Sequence, residues 1–221
     1  AVLAGVGGTL AFSAQRGTEP PPHPRRVDRS TRPRMPWTTV APLSVVCLAL
    51  GSLFGAAEVT TVAFSDEQGA TGYAGVLLAL WAAGSLIAGA VTGAVTWHRP
   101  VLHRLRIGSA AMALTMVPLL LVESMWVMGA VLFVAGFAIA PTLIASISLA
   151  EATVPSARLT EGLAFLQTGL VAGVAPGAAV AGLVVDAYGA SAAYLVSIGG
   201  GALALVAALA TRVSTTVPAR P

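Results

Sequence analysis

The sequence predicts an all-α fold, specifically a polytopic bundle of membrane-spanning helices. The chain of 221 residues is 56% hydrophobic and only 10% charged, whereas soluble domains carry about a quarter charged residues. Its mean hydropathy is +0.84. Long apolar runs alternate with short gaps, and the sign of the charge in those gaps alternates as well. The length of the apolar runs, the composition and the alternating charge of the gaps therefore all favour a chain that crosses the bilayer several times.

The charged gaps also predict an orientation. All 12 residues of the Lys and Arg types are arginines. They lie in the first, third and fifth gaps and in the tail: Arg16, Arg25, Arg26, Arg29, Arg32, Arg34, Arg99, Arg104, Arg106, Arg158, Arg212 and Arg220. The intervening gaps carry Asp66 and Glu67, then Glu123, then Asp186. Because cytoplasmic loops accumulate Lys and Arg, the arginine gaps and the C-terminus are predicted to face the cytoplasm.

The region before the first long run divides into two parts. Residues 1–15 are apolar but fewer than the roughly 20 that a spanning helix needs, and they begin without the Met, Lys or Arg of a signal peptide. We interpret them as the end of a truncated transmembrane helix. Residues 16–36 are rich in proline and of mixed charge, which predicts a solvated cytoplasmic linker. The six-helix region then covers 37–211, and 212–221 form a cytoplasmic tail.

Six longer apolar runs follow, each bounded by a charge, a proline or a polar turn. They cover about 37–64, 69–97, 104–122, 125–150, 161–185 and 191–211. Strands of a membrane barrel would alternate polar and apolar residues, and these runs do not, so helices are predicted. The third run is the shortest, and Arg104 and Arg106 would have to extend toward the interface. Trp37, Trp97 and Trp126 lie at predicted interfaces, as in an aromatic belt.

Several functional classes are disfavoured by composition. Without lysine, the chain has no Walker-type loop for ATP. Cys47 is the single cysteine, so neither an internal disulfide nor a thiolate cluster is possible. His98 and His103 lack further ligands nearby, so no metal or other cofactor is expected. The arginines are scattered over four segments without accompanying aromatics, which argues against nucleic acid as a partner. We expect no enzyme, and energy for any transport would come from an ion gradient or from the substrate's own gradient.

Four local sequences in the last third carry a resemblance to a known family. They are Pro141-Thr142, Val154-Pro155 followed by Arg158-Leu159-Thr160-Glu161-Gly162, the glycine-rich run 162–182, and Asp186-Ala187-Tyr188-Gly189. In these positions the chain resembles the major facilitator superfamily, in particular the drug- and arabinose-efflux-like permeases of bacteria. The Ala, Arg and Gly usage is also typical of a bacterium with GC-rich DNA.

The resemblance implies the C-terminal half of a twelve-helix transporter in the inner (plasma) membrane, preceded by the end of the sixth family helix. It implies a secondary active transporter, proton-coupled and exporting small drug-like or sugar-like organic molecules by alternating access. Its partners would be the substrate, protons, the lipid bilayer and an N-terminal six-helix half. One alternative is a facilitator or importer of sugars or metabolites on the same fold. Another is a membrane scaffold or receptor that transports nothing.

Glycines in the fifth run predict a helix-packing face. Gly169, Gly173 and Gly177 repeat every fourth residue, so one helical face lacks side chains and a neighbouring helix can approach closely. Together with Pro176 they resemble the glycine-proline motif that antiporters of the superfamily carry in their fifth helix. Of the two interpretations, ordinary tight packing of helices is favoured over an antiporter motif.

The arginines of the third gap have two interpretations. Gly93 followed by Arg99 and Arg104 stands where the superfamily has a degenerate copy of its Gly-x-x-x-Asp-Arg gating motif, but the aspartate is missing. We therefore favour cytoplasmic anchoring by Arg99, Arg104 and Arg106.

Glu58 is the clearest candidate for chemistry inside the membrane, because ionisable residues within spans are costly. It stands eight residues before Asp66, about 12 Å along a helix. Ser44, Gly51, Gly55 and Thr61 are predicted to share its face as a small and polar stripe. Glu58, with Thr61, is expected to bind a proton or a cationic substrate. The alternative is a carboxylate that extends to the outer surface.

Hydroxyl and amide side chains supply further candidates for contact with substrate or proton. Thr142 and Ser146 are four residues apart and would share one face beside Pro141, which lacks a backbone N–H. Their hydroxyls could instead bond back to their own helix. Gln167 forms another polar position, for which substrate contact and interhelical hydrogen bonding are equally favoured.

Overall fold

A computed structural model describes residues 33–212. The predicted truncated helix, most of the linker and the end of the tail lie outside the described residues. The helices, in chain order, are α1 Trp37–Glu67, α2 Ala74–Ala94, α3 Val101–Met116, α4 Met125–Gly136, α5 Ile139–Thr153, α6 Leu159–Tyr188 and α7 Ala190–Ala210. Short 3₁₀ turns precede α2 and α6 and follow α3, and residues 33–212 contain no strand. The prediction of an all-α chain is confirmed.

Six helical segments of the described region are long and apolar enough to cross a membrane. They are Trp37–Glu67, Thr71–Ala94, Val101–Leu121, Met125–Thr153, Ser156–Tyr188 and Ala190–Ala210. Each contains one of the six predicted runs or overlaps most of it. Length and composition therefore identify a helical bundle of the multi-pass membrane type, as the apolar runs predicted.

The third segment begins earlier than predicted. Pro100 precedes α3, and its carbonyl oxygen accepts hydrogen bonds from the backbone N–H groups of His103 and Arg104, at 3.0 and 3.2 Å. The predicted start at about Arg104 was therefore three residues late. Arg104 and Arg106 lie within the first turns of α3, as the predicted run had them.

The fourth segment is two helices rather than one. The α-helical pattern stops at Gly136, and the N–H groups of Phe137 and Ala138 bond three residues back, to Val134 and Ala135 at 3.1 and 3.2 Å. Pro141 explains the break, since it has no N–H for the carbonyl four residues earlier and its ring crowds that carbonyl. The predicted run 125–150 is therefore one membrane-crossing segment, Met125–Thr153, that consists of two successive helices.

Glycines allow α1 and α6 to touch along their backbones, and this is the most extensive helix pair of the described bundle. A Cβ atom added to Gly173 would collide with the carbonyl oxygen of Leu48. A Cβ added to Gly51 on the opposite helix would collide with the carbonyl oxygen of Leu170. The two helices thus interlock through small residues on both sides, the arrangement that gives close packing where no water is present to drive association.

The two ends of the bundle differ in charge, and both ends of α7 show it. At the end that carries the arginines, called here the arginine end, the Arg106 guanidinium donates to the carbonyl oxygens of Ala208 and Leu209, both at 3.3 Å. At the opposite, acidic end, the Glu67 carboxylate accepts the backbone N–H of Ala190 at 2.8 Å. A cation at a helix C-terminus and an anion at its N-terminus both complement the helix dipole. Neighbouring helices therefore cap α7 at both ends.

Candidate functional site

Glu58 lies on an exposed face of α1. Since α1 continues to Glu67, Glu58 is nine residues, or about 13 Å, from the acidic end of its helix. No hydrogen bond or ion pair joins its carboxylate to another residue of the described region. It borders a recess of about 590 Å³ together with Asp66 and with apolar residues of α1 and α2 such as Val62 and Leu78. The recess is open and carries two carboxylates.

Thr61 does not join Glu58 on that face. Thr61 is fully buried, and its hydroxyl shares a 3.0 Å hydrogen bond with the phenol of Tyr194 on α7. Gly51 and Gly55 contact the backbone of α6, although Gly51 stands seven residues before Glu58 and therefore on nearly the same side of α1. The expectation that Thr61 accompanies Glu58 in one polar stripe was wrong: a difference of three residues turns the side chain by about 60°, and here it separates an exposed position from a buried one.

The hydroxyls of Thr142 and Ser146 bond back to their own helix. Thr142 donates to the carbonyl oxygen of Ala138 at 2.6 Å, and Ser146 donates to that of Thr142 at 2.9 Å. Both residues are fully buried. The Thr142 hydroxyl also fills the space where a Cβ of Gly108 on α3 would stand. The back-bonding that the sequence left open as an alternative is thus the arrangement seen, and Thr142 serves close packing between α3 and α5.

Ser146 and Gln167 meet at a cavity of about 320 Å³. It lies among α1, α5 and α6, and five apolar side chains and Cys47 complete its lining. Gln167 is exposed and makes no hydrogen bond to another residue of 33–212. This cavity brings together two of the predicted site residues, whereas Glu58, Thr61 and Thr142 do not line it.

The predicted packing glycines lie on the buried face of α6, and Pro176 does not. Gly169, Gly173 and Gly177 approach the backbone of α1 at Ser44, Leu48 and Ser52. Pro176 lies inside α6 but on its exposed face. It therefore removes a backbone hydrogen bond on a face that meets no other described helix.

Each of the three arginines of the third gap has a partner in the described region. Arg99 lies 3.1 Å from the Nε2 atom of His103. The Arg104 guanidinium stands over the indole of Trp97, 4.7 Å from the ring centroid, a cation–π contact. Arg106 caps α7, as described above. These contacts favour a role for the three arginines in anchoring one end of the bundle. None of the three lies opposite Glu58.

Sequence reasoning missed three residues that matter to these arrangements. The Tyr194 hydroxyl forms a hydrogen bond with that of Thr61, which lies 133 positions earlier in the chain. Glu67 caps α7. Cys47 lines the same cavity as Ser146. Tyr194 had a usable signal, since a tyrosine within an apolar run needs a partner for its hydroxyl. The roles of Glu67 and Cys47 depend on which helices become neighbours, which one sequence does not contain.

No group of three or more His, Cys, Asp or Glu residues within 33–212 could hold a metal ion. Comparisons of the chain with models of protein families, with curated proteins and with solved structures gave no match. The functional argument therefore rests on the residues described above.

Proposed function

We propose that the six-helix region is one half of a secondary active transporter of the major-facilitator type, which couples export of small organic molecules to protons. The observation that carries the proposal is Glu58, a carboxylate well inside an apolar helix, exposed and without a partner in the described region. A charged side chain facing hydrocarbon near the bilayer centre costs at least about 2.5 kcal/mol. Glu58 therefore requires water or another protein surface beside it.

A transporter supplies both water and a second protein surface. Its binding site lies near the middle of the membrane, between two halves that move against each other around a water-accessible cavity. In such a cavity a lone carboxylate can take up a proton from one side and release it to the other. The positive-inside rule favours a cytoplasmic arginine end, and in that orientation Glu58 would belong to the half of the membrane nearer the outside.

Transport by the natural full-length protein in proteoliposomes tests the proposal. A panel of radiolabelled drug-like and sugar-like compounds is screened with and without an imposed pH gradient. We expect gradient-driven flux of at least one compound, and Glu58→Gln should abolish its dependence on the gradient. Glu123→Gln is the matched control, because it makes the same change at an exposed position between α3 and α4, and it should retain coupling.

The alternatives give different results. Flux that ignores the pH gradient in both the natural protein and the Glu58→Gln variant indicates a facilitator. Absence of flux for the whole panel, together with a Glu58 that is inaccessible to water-soluble carboxyl reagents, contradicts the proposal and favours a scaffold or receptor.

A further inference from the structure

The cavity among α1, α5 and α6 lies in a different part of the bundle from Glu58. Cys47 marks its position on α1, ten residues or about 15 Å from the arginine end of that helix. Glu58 lies 11 residues further along, about 16 Å away and closer to the acidic end. The cavity and the carboxylate thus occupy opposite halves of the same helix.

The lining of the cavity is suited to an uncharged molecule. Its residues are Cys47, Leu143, Ser146, Ile147, Leu163, Leu166, Gln167 and Leu170. None of these is Asp, Glu, Arg, Lys or His, and a charged group placed in such surroundings would lose its hydration without gaining a counter-charge. The volume of about 320 Å³ is at the lower end of the range for small-molecule pockets, so the occupant must be small.

One polar group could orient such a molecule. The Gln167 carboxamide is exposed and makes no hydrogen bond within the described region, so it offers a donor and an acceptor at once. Ser146 is fully buried and its hydroxyl is bonded to the Thr142 carbonyl, so it contributes to the wall and not to a hydrogen bond with the occupant. A polar group in a mainly apolar wall is typical of a ligand site.

We propose that this cavity binds an uncharged, mostly apolar small molecule, oriented by Gln167, at a place separate from the Glu58 carboxylate. The inference rests on the proposed function in one respect: the occupant is taken to be the transported molecule. It follows that proton and ligand do not compete for one group, and that coupling between them passes through movement of α1 and its neighbours.

Cys47 provides the measurement, because it lines the cavity and is otherwise buried, so that the slow access of a reagent to its thiol reports access to the cavity. The rate at which N-ethylmaleimide modifies Cys47 is followed by mass spectrometry of the peptide that contains it, in the full-length protein in lipid nanodiscs. The competing probes share one ring system: 1-naphthol is uncharged, 1-naphthylmethylammonium is a cation and 1-naphthoate is an anion. We expect 1-naphthol to slow the reaction in a saturable way, and the charged probes to need at least about tenfold higher concentrations.

Variants separate the cavity from general partition into lipid. Leu163→Trp should fill the cavity and slow modification of Cys47 without any probe. Leu183→Trp is the matched control, since it makes the same change on the same helix at a position that is 70% exposed, and it should leave the rate unchanged. Gln167→Leu should keep the rate but raise the half-protecting concentration of 1-naphthol about fivefold, the effect of losing one hydrogen bond.

Glu58→Gln tests the separation of the two sites and should leave protection by 1-naphthol unchanged. Four results would overturn the inference: no reaction of Cys47 with N-ethylmaleimide, no saturable protection by 1-naphthol, equal effects of Leu163→Trp and Leu183→Trp, or loss of protection in Glu58→Gln. Binding is measured without transport, so protection that persists in a protein with no flux would contradict the proposed function and leave the cavity site standing.

Discussion

The packed and the exposed positions of α1 are built in opposite ways. Among the packed positions, Gly51 and Gly55 meet the backbone of α6 and Thr61 meets the side chain of Tyr194. The exposed positions include Glu58 and Val62, which stand seven residues after the two glycines, on nearly the same side of the helix but nearer the acidic end. The packed positions make close contacts with neighbouring helices, whereas the exposed ones include a charge without a partner in the described region.

The difference shows how polarity is used within an apolar helix. Between membrane helices, where lipid is as apolar as leucine, contact is favoured by close packing and hydrogen bonds, and the packed positions supply both. The Glu58 carboxylate contributes to neither kind of contact, yet it is costly to keep at an exposed position. The packed positions are therefore expected to determine stability, and the exposed ones to determine activity.

The largest effect is expected from a bulky side chain at the α1–α6 contact. In Gly173→Leu the new Cβ would collide with the Leu48 carbonyl oxygen, and two further backbone atoms, Leu48 C and Ser52 N, would lie at 2.9 Å. Because backbone atoms cannot turn away as a side chain can, we expect a loss of at least about 3 kcal/mol in the free energy of unfolding. Unfolding of the full-length protein in mixed micelles with increasing dodecyl sulfate measures it.

Gly182→Leu is the control for this prediction. Gly182 lies on the same helix, and a Cβ there meets no other atom within 4 Å. Its variant should lose no stability, and the higher helix propensity of leucine should add up to about 1 kcal/mol. A loss in Gly182→Leu equal to that in Gly173→Leu would show that the contact with α1 is not what requires glycine.

A smaller effect is expected from the hydrogen bond between Thr61 and Tyr194. Thr61→Val keeps the shape of the side chain and removes the hydroxyl, so the buried Tyr194 phenol loses its 3.0 Å partner. We expect a loss of about 1 kcal/mol in the same measurement. Tyr194→Phe should cost a similar amount, and the double variant should cost less than the sum of the two. Strict additivity would mean that the two hydroxyls do not interact.

The sequence predicts this bundle well where the signal is local. Apolar length gave the six spans, and the four-residue glycine repeat marked the face of α6 that meets α1. Pro141 carried the signal for the break after Gly136, which apolar length alone does not reveal. The start of α3 was placed three residues late, because the apolar run was begun at Arg104 although Val101 and Leu102 already belong to the helix.

What the sequence could not predict depends on how each helix is rotated against its neighbours. Glu58 and Thr61 are three positions apart, and only the placement of α6 and α7 decides that one is exposed and the other buried. The capping of α7 by Glu67 and Arg106 likewise joins residues more than 100 positions apart. Helical periodicity places residues on a face, but it does not say which helix that face will meet.

The smallest effect on stability is expected at the exposed positions of α1. Because Glu58 has no partner among residues 33–212, Glu58→Gln should change the free energy of unfolding by less than about 0.5 kcal/mol, although the same variant is expected to abolish coupling to the pH gradient. The comparison with Thr61→Val, one helical turn away, separates an exposed from a packed position in one assay. A loss above about 2 kcal/mol would mean that the carboxylate holds another part of the full-length protein in place, which is the behaviour of a scaffold contact and not of a proton site.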